Sequence, residues 1–237
     1  MNLPRGKALA AAIGLVVVAG VGAVYLIFFT PEAPAPVALA ETDERESQAG
    51  ATPENLDPVG RWAVQNGSEA GYRVREKLAR LPAPSDAVGR TDEVTGSFTV
   101  GGTQGNYTIS DINIEVDMTT LRSDSDRRDN ALRERGLETD RFPTATFTSP
   151  GPIELPPDVT PGRPVEFMLG GALTIHGVTR QVTIPVEAEL DSRTIEVVGS
   201  LTIPMADFNI EPPNVANIVS VGDTGTLEFR LVLEKAV

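Results

Sequence analysis

The chain has 237 residues, a formal net charge of −13, one histidine and no cysteine. Disulfides, thiolate chemistry and Cys/His metal clusters are therefore unavailable. The acidic balance also argues against nucleic acid as a partner, because binding its phosphates takes a basic surface. A hydrophobic content of 41% is that of a folded protein, and the length allows one or two domains.

Residues 1–7 carry Arg5 and Lys7, and Ala8–Phe29 is an uninterrupted run of 22 mostly apolar residues. At about 1.5 Å per residue this run reaches roughly 33 Å, enough to cross a bilayer core. No Lys or Arg follows until Arg45. The positive-inside rule then puts the first seven residues in the cytoplasm and the remainder outside. The expectation is an uncleaved, single-pass membrane anchor. The alternative is a secretory signal cleaved near Ala38-Leu39-Ala40, although the run is longer than a usual signal core and the small residues lie well beyond it. On either reading the main domain is extracytoplasmic, and residues 30–237 carry a net −15.

Residues 30–58 read as a disordered, Pro-rich and acidic linker, with Pro31, Pro34, Pro36, Pro53 and Pro58 and the group Glu41, Asp43, Glu44 and Glu46. Proline stiffens such a segment and like charges extend it.

From residue 59 to 237 the hydrophobic period becomes two. Ile112, Ile114, Val116 and Met118 alternate with polar residues, as do Val182, Ile184, Val186, Ala188 and Leu190, and Leu227, Phe229, Leu231 and Leu233. One apolar and one polar face predict half-buried antiparallel strands. Further strands are predicted at 71–76, 95–100, 107–111, 144–148, 165–174 and 195–203. Gly101-Gly102, Gly105-Asn106, Gly170-Gly171, His176-Gly177 and Gly222-Asp223 read as turns. Ser125–Arg135 predicts one short helix, capped at its start by Ser123 or Ser125 and stopped by Gly136, with Ala131 and Leu132 buried. One helix among eight or more strands predicts an all-β antiparallel barrel or sandwich.

Arg128-Asp129 on the helix is followed by Phe142-Pro143-Thr144-Ala145-Thr146-Phe147, then by Gly171-Ala172-Leu173-Thr174-Ile175-His176-Gly177-Val178-Thr179, and late by Val221-Gly222-Asp223 before the last strand. In this order, over about residues 60–235, the motifs resemble the YceI-like family of exported, lipocalin-like domains. Near the Arg-Asp pair, where relatives often carry a second histidine, this chain has Asn130 and Ala131. The resemblance implies an eight-stranded antiparallel barrel. It also implies a polyisoprenoid or other amphiphilic lipid as partner, held inside without catalysis.

Such a barrel can be filled by side chains or hold one slender ligand. The inward set of the alternating strands supplies the candidate lipid-binding residues: Ile112, Ile114, Val116, Phe147, Phe167, Leu169, Leu173, Ile175, Val182, Ile184, Leu227 and Phe229, with Phe142 beside the mouth. The bland reading of the same residues is ordinary core. Arg128 and His176 are candidate head-group contacts. Their competing roles are structural, an ion pair at the barrel mouth for Arg128 and a backbone hydrogen bond beside a turn for His176. No catalytic motif, cofactor site or metal site is expected, since a catalytic metal needs three or more ligands. The alternative function is a ligand-free envelope interaction or stress-response module that acts through its surface, with unknown protein partners.

Overall fold

The computed structural model describes residues 33–39, 57–78, 84–191, 193–212, 214–215 and 219–236. The expected anchor and most of the expected linker lie outside these residues. Among the described residues no helix is long and apolar enough to cross a membrane.

The strands are β1 (Gly60–Val64), β2 (Glu69–Leu78), β3 (Ser85–Thr91), β4 (Val94–Thr103), β5 (Asn106–Asp117), β6 (Arg122–Ser123), β7 (Thr144–Ser149), β8 (Ile153–Glu154), β9 (Val165–Ile175), β10 (Val178–Asp191), β11 (Thr194–Pro204), β12 (Asn214–Val215) and β13 (Val219–Lys235). A short helix, α1 (Asp126–Ala131), follows β6. Neighbours run β1-β4-β5-β7-β9-β10-β11-β13, and β13 returns to β1, so eight antiparallel strands close a barrel. Closure leaves the ring without a free edge, the usual liability of a sheet. β2 pairs with the rest of the long β13, and β3 pairs with β2.

The closure is tied where β1 turns into β2. Trp62 opposes Lys235 on β13 and Phe98 on β4, and its indole donates to the Pro58 carbonyl at 2.8 Å. Ser68 Oγ donates to the Gln65 carbonyl at 2.8 Å and accepts from the Val232 amide at 2.9 Å. Leu233, fully buried, fills the same corner opposite Val64 and Ile195.

Three pairs expected to turn instead lie within strands, the first of them Gly101-Gly102 inside β4, opposite Thr108 and Tyr107 of β5. Gly170-Gly171 is inside β9, paired to Val182 and Thr183 of β10. Gly222-Asp223 sits at a register shift of β13 between Val221 and Gly225, a bulge rather than a turn. His176-Gly177 does form the two-residue β9–β10 turn, with φ of 52° and 72°, as a twisted hairpin requires.

The helix is shorter than expected. Neither serine caps an α1 amide with its side chain; Ser123 Oγ accepts from the Ser125 amide and donates to Asp129. After Ala131 the chain widens through Leu132–Gly136, and the left-handed residue that ends it is Glu138, with φ 46°. At Gly136 a Cβ would stand 2.9 Å from Leu132 Cδ2, so the Leu132 side chain packs into the space the glycine leaves.

Within the linker, residues 33–39 are described as irregular chain, and the Ala35 carbonyl accepts a 2.6 Å bond from Arg90 on β3. Arg90 stands over an outer-face pair in which Arg73 Nε meets Glu228 Oε1 at 2.7 Å. That bond to Glu228, helped by the Glu228 and Asp86 charges, holds the Arg73 guanidinium above its ordinary value against the opposing effect of burial.

Candidate functional site

The barrel encloses a cavity of about 700 Å³, within the size range of ligand pockets. Its wall is the inward face of the alternating strands. Phe167, Leu169, Leu201, Leu227 and Phe229 all line it, yet each remains only half-buried. Their accessible surface faces the lumen. A side chain in a filled core has no such surface, because interiors pack as densely as organic crystals.

Two features keep the centre empty. Ala70, Ala87, Ala145, Ala188 and Gly225 supply small inward positions. In addition, aromatic rings lie close against glycines of neighbouring strands. A Cβ on Gly199 would stand 2.5 Å from Phe229 Cζ, one on Gly171 2.5 Å from Phe147 Cζ, and one on Gly89 2.4 Å from the Tyr72 ring. Gly199 opposes Phe229 and Gly89 opposes Tyr72 in register. Each ring therefore occupies the place of a missing side chain on the wall instead of reaching across the axis.

The helix end of the cavity is polar. Tyr72 and Glu76 project inward from β2 while Arg128 reaches in from α1. Arg128 Nη2 meets Glu76 Oε1 at 2.9 Å, and Nη1 bonds Asp124 and, at 3.1 Å, Ser123 Oγ. Burial works against the Arg128 charge, but the hydrogen bonds and charges of Asp124 and Glu76 outweigh it and hold the guanidinium above its ordinary value. Tyr72 Oη is buried with no hydrogen-bond partner among the described residues. Burial pushes this phenol above its ordinary value, opposed by Arg128 and reinforced by Asp129, Glu76 and Asp124.

The opposite end is formed by the loop after β8. Leu155, Val159, Thr160 and Arg163 join the wall there, with the loop held by Leu155 N to Tyr107 O at 2.9 Å and Gly162 N to Leu190 O at 2.8 Å. Arg127 at the helix end and Thr160 and Arg163 at the loop end are wall residues that are also solvent-exposed.

Of the residues expected from sequence, Ile112, Ile114, Val116, Phe147, Phe167, Leu169, Leu173, Ile175, Ile184, Leu227, Phe229 and Arg128 line the cavity. Three do not. Val182 borders a shallow groove with Gly170, Gly171 and Thr183. Phe142 and His176 pack together away from the wall, ring centroids 4.4 Å apart. His176 Nδ1 bonds the Phe208 carbonyl at 3.2 Å, while Nε2 lies 3.9 Å from Glu138 Oε2. The left-handed turn points His176 along the rim, so its geometry is the structural one. Tyr72 and Glu76 were not expected. The signal for them is the parity of β2, where Ala70, Tyr72, Val74 and Glu76 share one face. Among the described residues no group of three or more His, Asp or Glu could hold a metal ion.

The family model for the YceI-like domain matches residues 62–233, from the first strand of the closed ring to the last. The chain belongs to the YceI-like family. A UPF0312 protein of Vibrio vulnificus strain YJ016 is 31% identical over 140 residues, covering 56% of this chain and 69% of that protein. Among solved structures, a polyisoprenoid binding domain from Saccharophagus degradans implicated in plant cell wall breakdown is similar, with a TM-score of 0.54 and 17% identity. It covers 75% of this chain and 99% of that chain. Burkholderia cenocepacia BcnA is also similar, with a TM-score of 0.50 and 20% identity over 71% of this chain and 98% of that chain. At these identities the two structures speak to the fold. In this YceI-like chain the motif residues divide: Phe147, Leu173 and Ile175 face the cavity, Arg128 stands at its polar end, and His176 packs beside the β9–β10 turn.

Proposed function

We propose that this YceI-like protein binds the tail of a polyisoprenoid or other amphiphilic lipid in the barrel interior and performs no catalysis. The observation that carries the reading is the open apolar lumen. A carbon group takes about the volume of a water molecule, roughly 30 Å³ in the liquid. A cavity of about 700 Å³ thus has room for an extended chain on the order of twenty carbons. Burying ten methylenes contributes roughly 8 kcal/mol, the scale of micromolar binding. The lipid named for the Saccharophagus domain supports the isoprenoid class. A surface module would have no use for an empty centre.

The apolar run at residues 8–29 and its flanking charges support a membrane-tethered, extracytoplasmic location. The intact mass of the mature protein distinguishes a retained anchor from a cleaved signal.

Native mass spectrometry of the purified protein tests the cargo reading. An isoprenoid or acyl species released by organic extraction is the expected result. Protein that stays ligand-free after exposure to lipid extract contradicts it.

A further inference from the structure

The ring of strands is pinned lightly between β7 and β9. These strands meet over three residue pairs, Thr146 with Thr174, Phe147 with Leu173 and Thr148 with Ala172, whereas β9 and β10 pair over eleven. β7 ends at Ser149, so among the described residues no ladder joins residues 165–171 of β9 on that side. β8 and the loop after it stand there instead. β4 takes one edge of β5, so β8 pairs with β5 on the edge that β7 occupies further along. The lumen lies directly behind this seam, because Phe167 and Leu169 of β9 and Leu155, Val159 and Arg163 of the loop are all wall residues.

The two ends of the cavity differ in how they are held. At the helix end Arg128 bonds Glu76 at 2.9 Å, Ser123 Oγ at 3.1 Å and Asp124, and Asp129 accepts from the Ser123 amide and hydroxyl at 3.1 and 2.6 Å. Hydrogen bonds with an ionised partner are about twice as strong as neutral ones. The loop is fastened to the barrel by one neutral backbone bond near each of its ends, from Leu155 N to Tyr107 O and from Gly162 N to Leu190 O. Its remaining bonds among the described residues are local, Arg163 N to Thr160 O at 3.2 Å and Thr160 Oγ1 to Asp158 O at 3.1 Å. Elements that open for ligands come from the least tightly held parts of a fold. We propose that cargo enters and leaves through the seam between β8 and β9, with residues 155–163 as its lid and the Gly162 bond as the latch, while the helix end stays shut. The proposal rests on the lipid-binding reading and adds the route to it.

The probe is cis-parinaric acid, a fluorescent fatty acid, whose uptake and release by the full chain are followed in a stopped-flow instrument. Gly162 has a φ of 74°, and a Cβ there would meet nothing within 4 Å. Gly162→Ala therefore strains only the latched backbone, and the left-handed penalty of an alanine shifts the lid roughly five- to thirtyfold towards open. Uptake and release should both quicken by about that factor, with Kd unchanged, because the latched state is destabilised with and without cargo alike. A mere loss of wall contacts would quicken release alone. The chain has no cysteine, so Arg90→Cys with Arg122→Cys, opposite each other on β3 and β6, gives a single disulfide of accessible span. It fixes the strand that α1 follows, and the oxidised variant should exchange the probe at the parent's rate. If Gly162→Ala leaves both rates unchanged or quickens release alone, or the helix-end disulfide slows exchange, the route is wrong and the lipid reading stands. If the probe does not bind, both fail.

Discussion

A hollow barrel and a filled one respond differently to the same truncation. Leu173 and Leu233 are both inward-facing and buried, but Leu173 lines the cavity while Leu233 is enclosed on all sides in the closing corner. Leu→Ala in a packed interior costs about 2.7 kcal/mol for transfer plus roughly 24 cal/mol for each Å³ of new void, reaching about 5 kcal/mol. Leu233→Ala creates such a void and should cost about 4–5 kcal/mol. Leu173→Ala only enlarges a space that already exists, so its cost should stay near the transfer part, about 2–3 kcal/mol. With a urea m-value of about 2 kcal/mol/M, the two midpoints should differ by roughly 1 M. Equilibrium urea unfolding of lipid-free protein, followed by the fluorescence of Trp62, measures both. Equal losses near 5 kcal/mol would mean that Leu173 sits in a filled interior, and the reasoning would fail.

Gly199→Ala should push the Phe229 ring off the wall and into the lumen. Because the lumen gives way, the stability cost should be about 1 kcal/mol, at the low end for overpacking, while affinity for a twenty-carbon chain falls in a fluorescent-lipid displacement assay. An unchanged affinity would mean that the ring is not part of the wall. Tyr72 gives a pH dependence. Its folded value lies above the unfolded one, so its stabilising contribution is complete below about pH 10, where the unfolded phenol ionises. It is lost as pH rises towards the folded value. Guanidinium midpoints at pH 8 and pH 11 should therefore fall less in Tyr72→Phe than in the parent, and equal falls would refute the burial. His176→Ala should lower stability by about 1 kcal/mol through the lost bond to Phe208 and leave lipid affinity as it was. A fall in affinity would place His176 at the ligand.

The sequence reveals the barrel because alternation survives wherever one strand face is wet. Ile112, Ile114 and Val116 on β5 and Leu227, Phe229 and Leu231 on β13 are inward as that period demands. It is silent about the cavity, since emptiness depends on which glycine lies beside which ring. The pairing of Gly199 with Phe229 and of Gly89 with Tyr72 joins residues far apart in the chain. The same glycines mislead when read locally. Gly170-Gly171 has the composition of a turn but sits in mid-strand, leaving room for Phe147. Val182 keeps the right parity and packs against the core, yet it borders the shallow groove beside Gly171 and not the lumen. Glu76 goes unnoticed because a charged residue on an inward face runs against the pattern. Arg128, arriving from α1, pairs with it and makes its burial tolerable.

The most direct measurement is a crystal structure grown with a fatty chain carrying a terminal bromine. The account predicts continuous density along the barrel axis between Phe167, Leu173 and Phe229, with the bromine's anomalous peak inside the wall they form. Side chains meeting across the axis, with no density between them and no bromine peak, would contradict it.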